Sequence, residues 1–165
     1  MGSGTGLVGM VASKLGNPIC VVLTDGDSDA LNLLQQNLVN PYNDIKTTTT
    51  KATLLRWGQP LEEFCKWCQQ TFPGETKFDV ILAGDVMYKK ELPKLFFGTV
   101  NSLLSENGTL WLCHVPRANV THDVVRATAQ ECGFDIRAFG SSDIRVENCP
   151  LHDRERAIVY HVRRR

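Results

Sequence analysis

The stretch Gly2-Ser3-Gly4-Thr5-Gly6-Leu7-Val8-Gly9 is a glycine-rich turn that runs straight into an apolar helical pattern. Glycine has no Cβ and tolerates positive φ, so backbone N–H groups in such a turn can approach a ligand closely. Turns of this kind join a buried strand to the next helix in open parallel sheets that bind nucleotides. Leu7, Val8, Met10, Val11, Ala12 and Leu15 give the following helix a broad apolar face from about Gly6 to Leu15. Gly16-Asn17-Pro18 stops it, glycine as a cap and proline beyond.

Outward from that turn, strands and helices alternate. Ile19 to Leu23 is a continuous apolar run, the mark of a strand buried on both faces. Asp25-Gly26-Asp27-Ser28 makes a turn and supplies N-caps for a helix over Ala30 to Val39. The threonine-rich stretch Ile45 to Leu55 reads as a strand nearer the sheet edge, and Pro60 to Phe72 as a surface helix. Phe78 to Ala83 is a second fully buried strand, followed at once by Gly84-Asp85-Val86-Met87-Tyr88. A helix over Leu92 to Leu104, a turn at Asn107-Gly108, a buried strand over Thr109 to Val115 and a helix over Thr121 to Cys132 come next. Phe134 to Phe139 and Ala157 to Val162 are strands joined only by the loop 141–153, which predicts an antiparallel pair. The expected fold class is therefore α/β: a Rossmann-like, mostly parallel sheet with helices on both faces and an antiparallel C-terminal pair, in a single domain spanning 1–165.

Composition narrows the function classes. The chain has 165 residues, 42% hydrophobic and 22% charged, which suits one globular domain. Its formal net charge is zero, so it carries no overall electrostatic footprint for nucleic acid or an anionic membrane. Arg163-Arg164-Arg165 is a local exception and reads as a solvated end. No apolar run approaches the ~18–20 residues of a membrane span. Six cysteines and no secretory leader fit a reducing, cytoplasmic or nuclear setting. Cys20 and Cys113 read as small buried hydrophobes. Cys65-Lys66-Trp67-Cys68 has CxxC spacing, and Cys149 with His152 could complete a zinc site, but one CxxC inside a helix is weak evidence and no metal is expected.

In an open α/β sheet, ligands bind beyond the carboxyl ends of the strands. Three such ends carry small or polar residues here: the opening loop, Asp25 after Ile19 to Leu23, and Gly84-Asp85 after Phe78 to Ala83. A carboxylate at the position of Asp25 suits a ribose diol, because it can accept two hydrogen bonds; helix capping is its plain alternative, and Asp27 or Ser28 can cap instead. Gly4 to Gly9 also fits GxGxxG with an acidic residue about twenty positions on, as dinucleotide binding requires. Glycine spacing alone leaves both ligands open, although no substrate domain follows for a dehydrogenase.

The glycine run, the Thr24-Asp25 strand end, Leu55-Arg56-Trp57-Gly58 and Asp85-Val86-Met87-Tyr88 occur in an order and spacing that resemble the seven-strand S-adenosylmethionine-dependent methyltransferases. The resemblance is specifically to the lysine methyltransferases of methyltransferase family 16, whose DxxY motif Asp85 to Tyr88 matches. That resemblance, which spans essentially the whole chain, implies the cofactor S-adenosyl-L-methionine and protein-lysine N-methylation. It implies that Gly2, Ser3 and Gly4 wrap the methionine end of the cofactor, that Asp25 holds the ribose, that Trp57 sits beside the adenine and that Gly84 lines the cofactor wall. Asp85 and Tyr88 would face the substrate. Their alternatives are an N-cap of the next helix and a core aromatic. His114 and Arg117 border the same strand ends and read as structural.

Family members carry a strand ending in an acidic residue just before the glycine turn. That first, central strand and the elements upstream of it are expected to be missing from this chain, which reads as N-terminally truncated and impaired or inactive in this form. A non-catalytic protein-binding module and an NAD-type oxidoreductase are the alternatives. The expected partner is a protein presenting a lysine, with no nucleic acid and no membrane.

Overall fold

A computed structural model of the chain describes residues 1–74, 77–117, 119–140, 143 and 155–165. It divides into two compact units, Met1–Thr76 and Lys77–Arg165.

The first unit contains α1 (Leu7–Leu15), β1 (Val21–Asp25), α2 (Ser28–Val39), a short 3-10 turn (Pro41–Asn43), β2 (Thr50–Leu54) and α3 (Glu62–Thr71). Strands β1 and β2 pair in parallel, from Val21 opposite Thr50 to Asp25 opposite Leu54. Leu23, Leu34 and Leu38 form the buried centre, with Met10, Val21, Leu31, Ile45 and Ala52 packed around it. Helix α2 starts where Asp27 caps it: the carboxylate accepts from Asp29 N at 2.7 Å and Ala30 N at 3.1 Å.

Several expectations for this unit need correcting. The run beginning at Ile19 is not buried throughout: the strand starts at Val21, and Ile19 is 86% exposed. The threonine stretch is mostly turn. Thr49 N and Thr50 N both donate to Lys46 O, at 3.2 and 3.0 Å, and the Thr49 hydroxyl joins them at 3.3 Å. Such local bonds compete with a strand ladder and delay β2 to Thr50. The apolar face of α1 is covered only in part: Met10 packs against the core, but Leu7, Val8, Val11 and Leu15 are exposed.

The second unit contains β3 (Phe78–Gly84), α4 (Leu92–Leu103), β4 (Leu104–His114), α5 (His122–Glu131), β5 (Phe134–Phe139) and β6 (Ile158–Arg164), in a four-stranded sheet ordered β3-β4-β6-β5. Strands β3 and β4 are parallel, and β6 runs antiparallel to both β4 and β5. The C-terminal strand thus inserts between its predecessors. The turn expected at Asn107-Gly108 is a bulge inside β4. Phe78 pairs with Leu104 but Val80 with Thr109, so the β4 side carries the extra residues.

Strands β3 and β4 were both expected to be buried on two faces, but their burial alternates. Ile81, Ala83, Leu110, Leu112 and His114 are buried, whereas Val80 and Trp111 are exposed. The buried face carries the helices: Phe97 of α4 meets Phe134 of β5 with ring centroids 6.0 Å apart, and Val125 and Ala129 of α5 are fully buried. The expected loop 141–153 lies, Asp143 apart, outside the described residues.

Candidate functional site

In the first unit the glycine loop is tied to the end of β1 by three bonds. Ser3 N donates to Thr24 O at 2.8 Å, Thr24 N donates to the Ser3 hydroxyl at 3.1 Å, and Gly4 N donates to Asp25 Oδ2 at 2.8 Å. Asn37 of α2 holds the far side through Thr5 O at 2.8 Å. The glycines divide the work. A Cβ on Gly6 would sit 2.3 Å from Leu34 Cδ1, and one on Gly9 would sit 2.6 Å from Leu23 Cγ, so these two let α1 pack against the core. Gly4, with φ +51°, has nothing within 4 Å of an added Cβ, so its open side is free for a ligand. Gly2 shares the left-handed conformation, with φ 63°.

Asp25 is not the cap of α2, because Asp27 is. Its Oδ2 accepts from Gly4 N and its Oδ1 from Asp27 N at 3.1 Å. A carboxylate offers about four lone-pair positions, so two remain for a ribose diol. Leu55 N donates to Asp25 O at 2.9 Å, which carries the β1–β2 ladder one step past the strand ends. Trp57, half-buried, follows two residues later beyond the carboxyl end of β2. Gly2, Ser3, Gly4, Asp25 and Trp57 thus belong to one end of one parallel pair. The open glycine, the spare acceptor capacity of Asp25 and a nearby indole fit a nucleoside-type cofactor; Ser3 differs from expectation in spending its N–H and hydroxyl on β1.

In the second unit, Gly84 ends β3 with open space where its Cβ would be. Asp85 follows with φ 52°, a left-handed conformation that Asp tolerates better than most residues. Its N–H donates to Cys113 O at 2.8 Å, extending the β3–β4 ladder. Val86 and Met87 are buried, whereas Tyr88 is 58% exposed and the Asp85 side chain 37% exposed. The buried pair pins the segment, and the two outer residues of DxxY face outward. Asp85 is not a helix cap, since α4 starts at Leu92 after Glu91, and Tyr88 is not a core aromatic. Gly84, Asp85 and Tyr88 therefore lie at the carboxyl end of β3.

The structure adds a residue to this cluster. The Arg117 guanidinium forms an ion pair with Asp85 Oδ2. The 117–120 turn that carries it is closed by Val120 N donating to Arg117 O at 2.9 Å and is fastened by His114, whose Nε2 lies 3.1 Å from Val120 O. Against a carbonyl, Nε2 must be the protonated nitrogen. His114 Nδ1 is then a bare acceptor, buried and without a partner among the described residues. Burial lowers the His114 pKa, opposed by its bond to Val120 and reinforced by His122. His122 stands edge-on to His114 at 5.4 Å and bonds Arg156 O and the Tyr160 hydroxyl at 3.0 and 2.9 Å. His114 is buried and bonded to Val120, and Arg117 touches Asp85 directly.

The zinc idea gains nothing. Cys149 and His152 lie outside the described residues, and among those described no group of metal-binding side chains is present. Burial, then Cys65 and Cys20, pushes the Cys68 thiol up to about 11. Cys20 and Cys113 are half-buried rather than fully buried. Among the described residues no helix is long and apolar enough to cross a membrane.

A family model described as lysine methyltransferase matches residues 1–130, across both units. Protein N-lysine methyltransferase METTL21A of Mus musculus is 36% identical over 115 residues, covering 68% of this chain and 46% of the mouse protein. Its Xenopus tropicalis counterpart is 32% identical over 158 residues, covering 94% of this chain and 66% of that protein. The chain therefore spans roughly half to two thirds of these relatives. Among solved structures, a TehB-like SAM-dependent methyltransferase from Corynebacterium glutamicum superposes with a TM-score of 0.67 at 19% identity, covering 99% of this chain and 77% of that one. Magnesium protoporphyrin IX methyltransferase from Synechocystis gives 0.58 at 18%, covering 98% and 67%. The fold is the α/β fold of methyltransferases, and the chain belongs to the lysine methyltransferase family.

Proposed function

We propose that this chain is the cofactor- and lysine-binding part of an S-adenosylmethionine-dependent protein-lysine N-methyltransferase, working as one domain in the cytoplasm or nucleus. The observation that carries the reading is the DxxY segment. Val86 and Met87 are buried so that Asp85 and Tyr88 are presented at the carboxyl end of β3. On this reading Gly2, Ser3 and Gly4 shape the pocket for the methionine end, Asp25 takes the ribose hydroxyls and Trp57 flanks the adenine. Gly84 leaves room at the cofactor wall, and Asp85 and Tyr88 orient the incoming amine.

S-Adenosylmethionine, when bound, supplies an electrophilic methyl group on a sulfonium sulfur. The chain's own contribution is placement, because an in-line displacement gains most from holding donor and acceptor in the reactive geometry. Asp85 accepts a hydrogen bond from the ε-amine and points its lone pair, while the open side of Gly4 admits a ligand beside the loop. The lysine must first lose a proton to solvent, since its unperturbed pKa is ~10.4.

The test is transfer of tritiated methyl groups to a panel of lysine-bearing proteins. Calmodulin and elongation factor EEF1A belong in it because two relatives, 30% identical over 104 and 118 residues, are named a calmodulin-lysine N-methyltransferase and EEF1A lysine methyltransferase 3. Label on lysine with the native chain and its loss in Asp85→Ala are expected. Calorimetric binding of NAD in place of S-adenosylmethionine, or undiminished transfer by Asp85→Ala, would overturn the reading.

A further inference from the structure

A carboxylate beside the acceptor amine has a cost. A negative charge a few ångströms from an ammonium favours the charged form, and the charged form is no nucleophile. An isolated Asp85 would therefore bind the substrate lysine in the wrong protonation state. The structure instead sets a permanent cation against it: the Arg117 guanidinium takes Asp85 Oδ2, and Oδ1 has no partner among the described residues.

We propose that Arg117, by offsetting the field of Asp85, stops that carboxylate from holding the acceptor lysine as its ammonium and so preserves the neutral, nucleophilic fraction that an unperturbed lysine has. This deepens the lysine-methyltransferase reading and rests on it. Arg117 is a positioning and electrostatic residue; it acts through Asp85. Oδ1 remains to accept an N–H of the amine, so orientation is kept while the pull on the proton is cancelled. The released proton goes to solvent. The nitrogen lone pair then forms the new N–C bond as the methyl C–S bond breaks, and sulfur keeps that electron pair.

Three features make the arrangement a built one. The turn bearing Arg117 is closed on itself by Arg117 and Val120. It is pinned to the end of β4 by His114. Pro116 next to it accepts a bond from the Arg156 guanidinium at 2.7 Å. Besides Tyr88, Lys89 and Lys90, which follow Asp85 in the chain, Arg117 pairs with Asp85 and His114 at the end of β4 interacts with the charges of both, while His122 of α5 stands against His114 and Arg156 bonds Pro116 O. His114 is held neutral by burial, so Arg117 is the cation that meets the carboxylate.

The experiment compares the full chain with Arg117→Gln and Arg117→Lys. With any lysine substrate from the panel, the Gln variant should lose about tenfold in kcat near neutral pH and recover it when the pH is raised by about one unit. That displacement is the low end expected for one half-exposed charge a few ångströms away. Its KM for the cationic substrate should fall or hold, and the Lys variant should stay near the native profile. A kcat loss that no pH restores would indicate a merely structural role and overturn the proposal. A second arm needs no turnover. By NMR titration at pH 7, n-butylammonium chloride should bind the Gln variant about tenfold more tightly than the native chain at the Asp85 amide, and not detectably in the Asp85→Asn, Arg117→Gln double variant. Equal affinities in native and Gln chains would sink the idea, even if no protein in the panel is methylated and the parent reading fails separately.

Discussion

Two helical glycines offer a paired test of how the glycine loop is packed. Gly9 lies in α1 and Gly98 in α4. Replacing a mid-helix glycine by alanine removes backbone entropy from the unfolded chain and improves helix propensity, for a gain of about 0.5–1 kcal/mol. At Gly98 nothing lies within 4 Å of the added Cβ, so Gly98→Ala should realise that gain. At Gly9 the Cβ would lie 2.6 Å from Leu23 Cγ and 2.7 Å from its Cδ2. The contact is with the branch point of a side chain only 1% exposed, so the whole leucine must move. Overpacking of this kind costs about 1–3 kcal/mol, and the upper part of that range applies where the neighbour is enclosed. Subtracting the helix gain leaves a net loss of about 1–2 kcal/mol, or roughly 2–8 °C in Tm for a domain of this size. Urea titration with an unchanged slope and a lower midpoint is the expected result, with Gly98→Ala moving the other way. Leu23→Ala should relieve the clash, so the double variant should fall short of additivity by about 1 kcal/mol. A Gly9→Ala chain as stable as Gly98→Ala would refute the packing role assigned to that glycine.

Asp25→Ala should weaken S-adenosylmethionine binding at least tenfold by calorimetry, since a charged acceptor is worth about 1.5–3 kcal/mol; unchanged affinity would remove Asp25 from the pocket. Asp27→Ala should cost about 1 kcal/mol by losing both cap bonds of α2, without altering cofactor affinity once stability is matched. Stability should also fall with acid through His114. Its folded pKa is lowered, by burial first, so the unfolded chain takes up the proton more readily. The contribution of the neutral ring is complete above the unfolded value near 6.5 and is lost as pH drops below it. His114→Gln, which keeps a donor for Val120 O, should flatten the midpoint-versus-pH curve between about pH 7 and 5. A smaller slope should remain from His161, also lowered by burial and by Arg163 and Arg137. A native curve that does not fall with acid would contradict the buried, unpartnered Nδ1.

What the sequence could disclose was what depends on neighbours along the chain. Asp27, two residues after Asp25, was available to cap α2, and it does, which leaves Asp25 at the strand end with its carboxylate turned to the glycine loop. The spacing of DxxY was likewise legible, because two apolar residues between two polar ones can pin a segment and present its ends. Burial was the weaker inference. The apolar runs over Ile19 to Leu23 and Phe78 to Ala83 predicted strands covered on both faces, but Ile19 and Val80 are exposed, since composition says which residues can be buried and not which are covered. Arg117 shows the same limit at the site. An arginine after a strand has many solvated uses, and nothing in its local pattern distinguishes this one. Its role follows from a chain of tertiary contacts: Asp85 in a left-handed conformation beside Cys113, a turn closed by Val120, and a histidine whose single N–H fastens that turn to the sheet. The bond of Asp85 to Cys113 and the ion pair of Arg117 with Asp85 join residues that meet only when β3 and β4 pair, and the contacts among His114, Arg117 and Val120 then fix where the guanidinium sits. The carboxylate proposed to meet the amine is thus a residue that the sequence singles out, whereas the cation paired with it becomes visible only in the folded sheet.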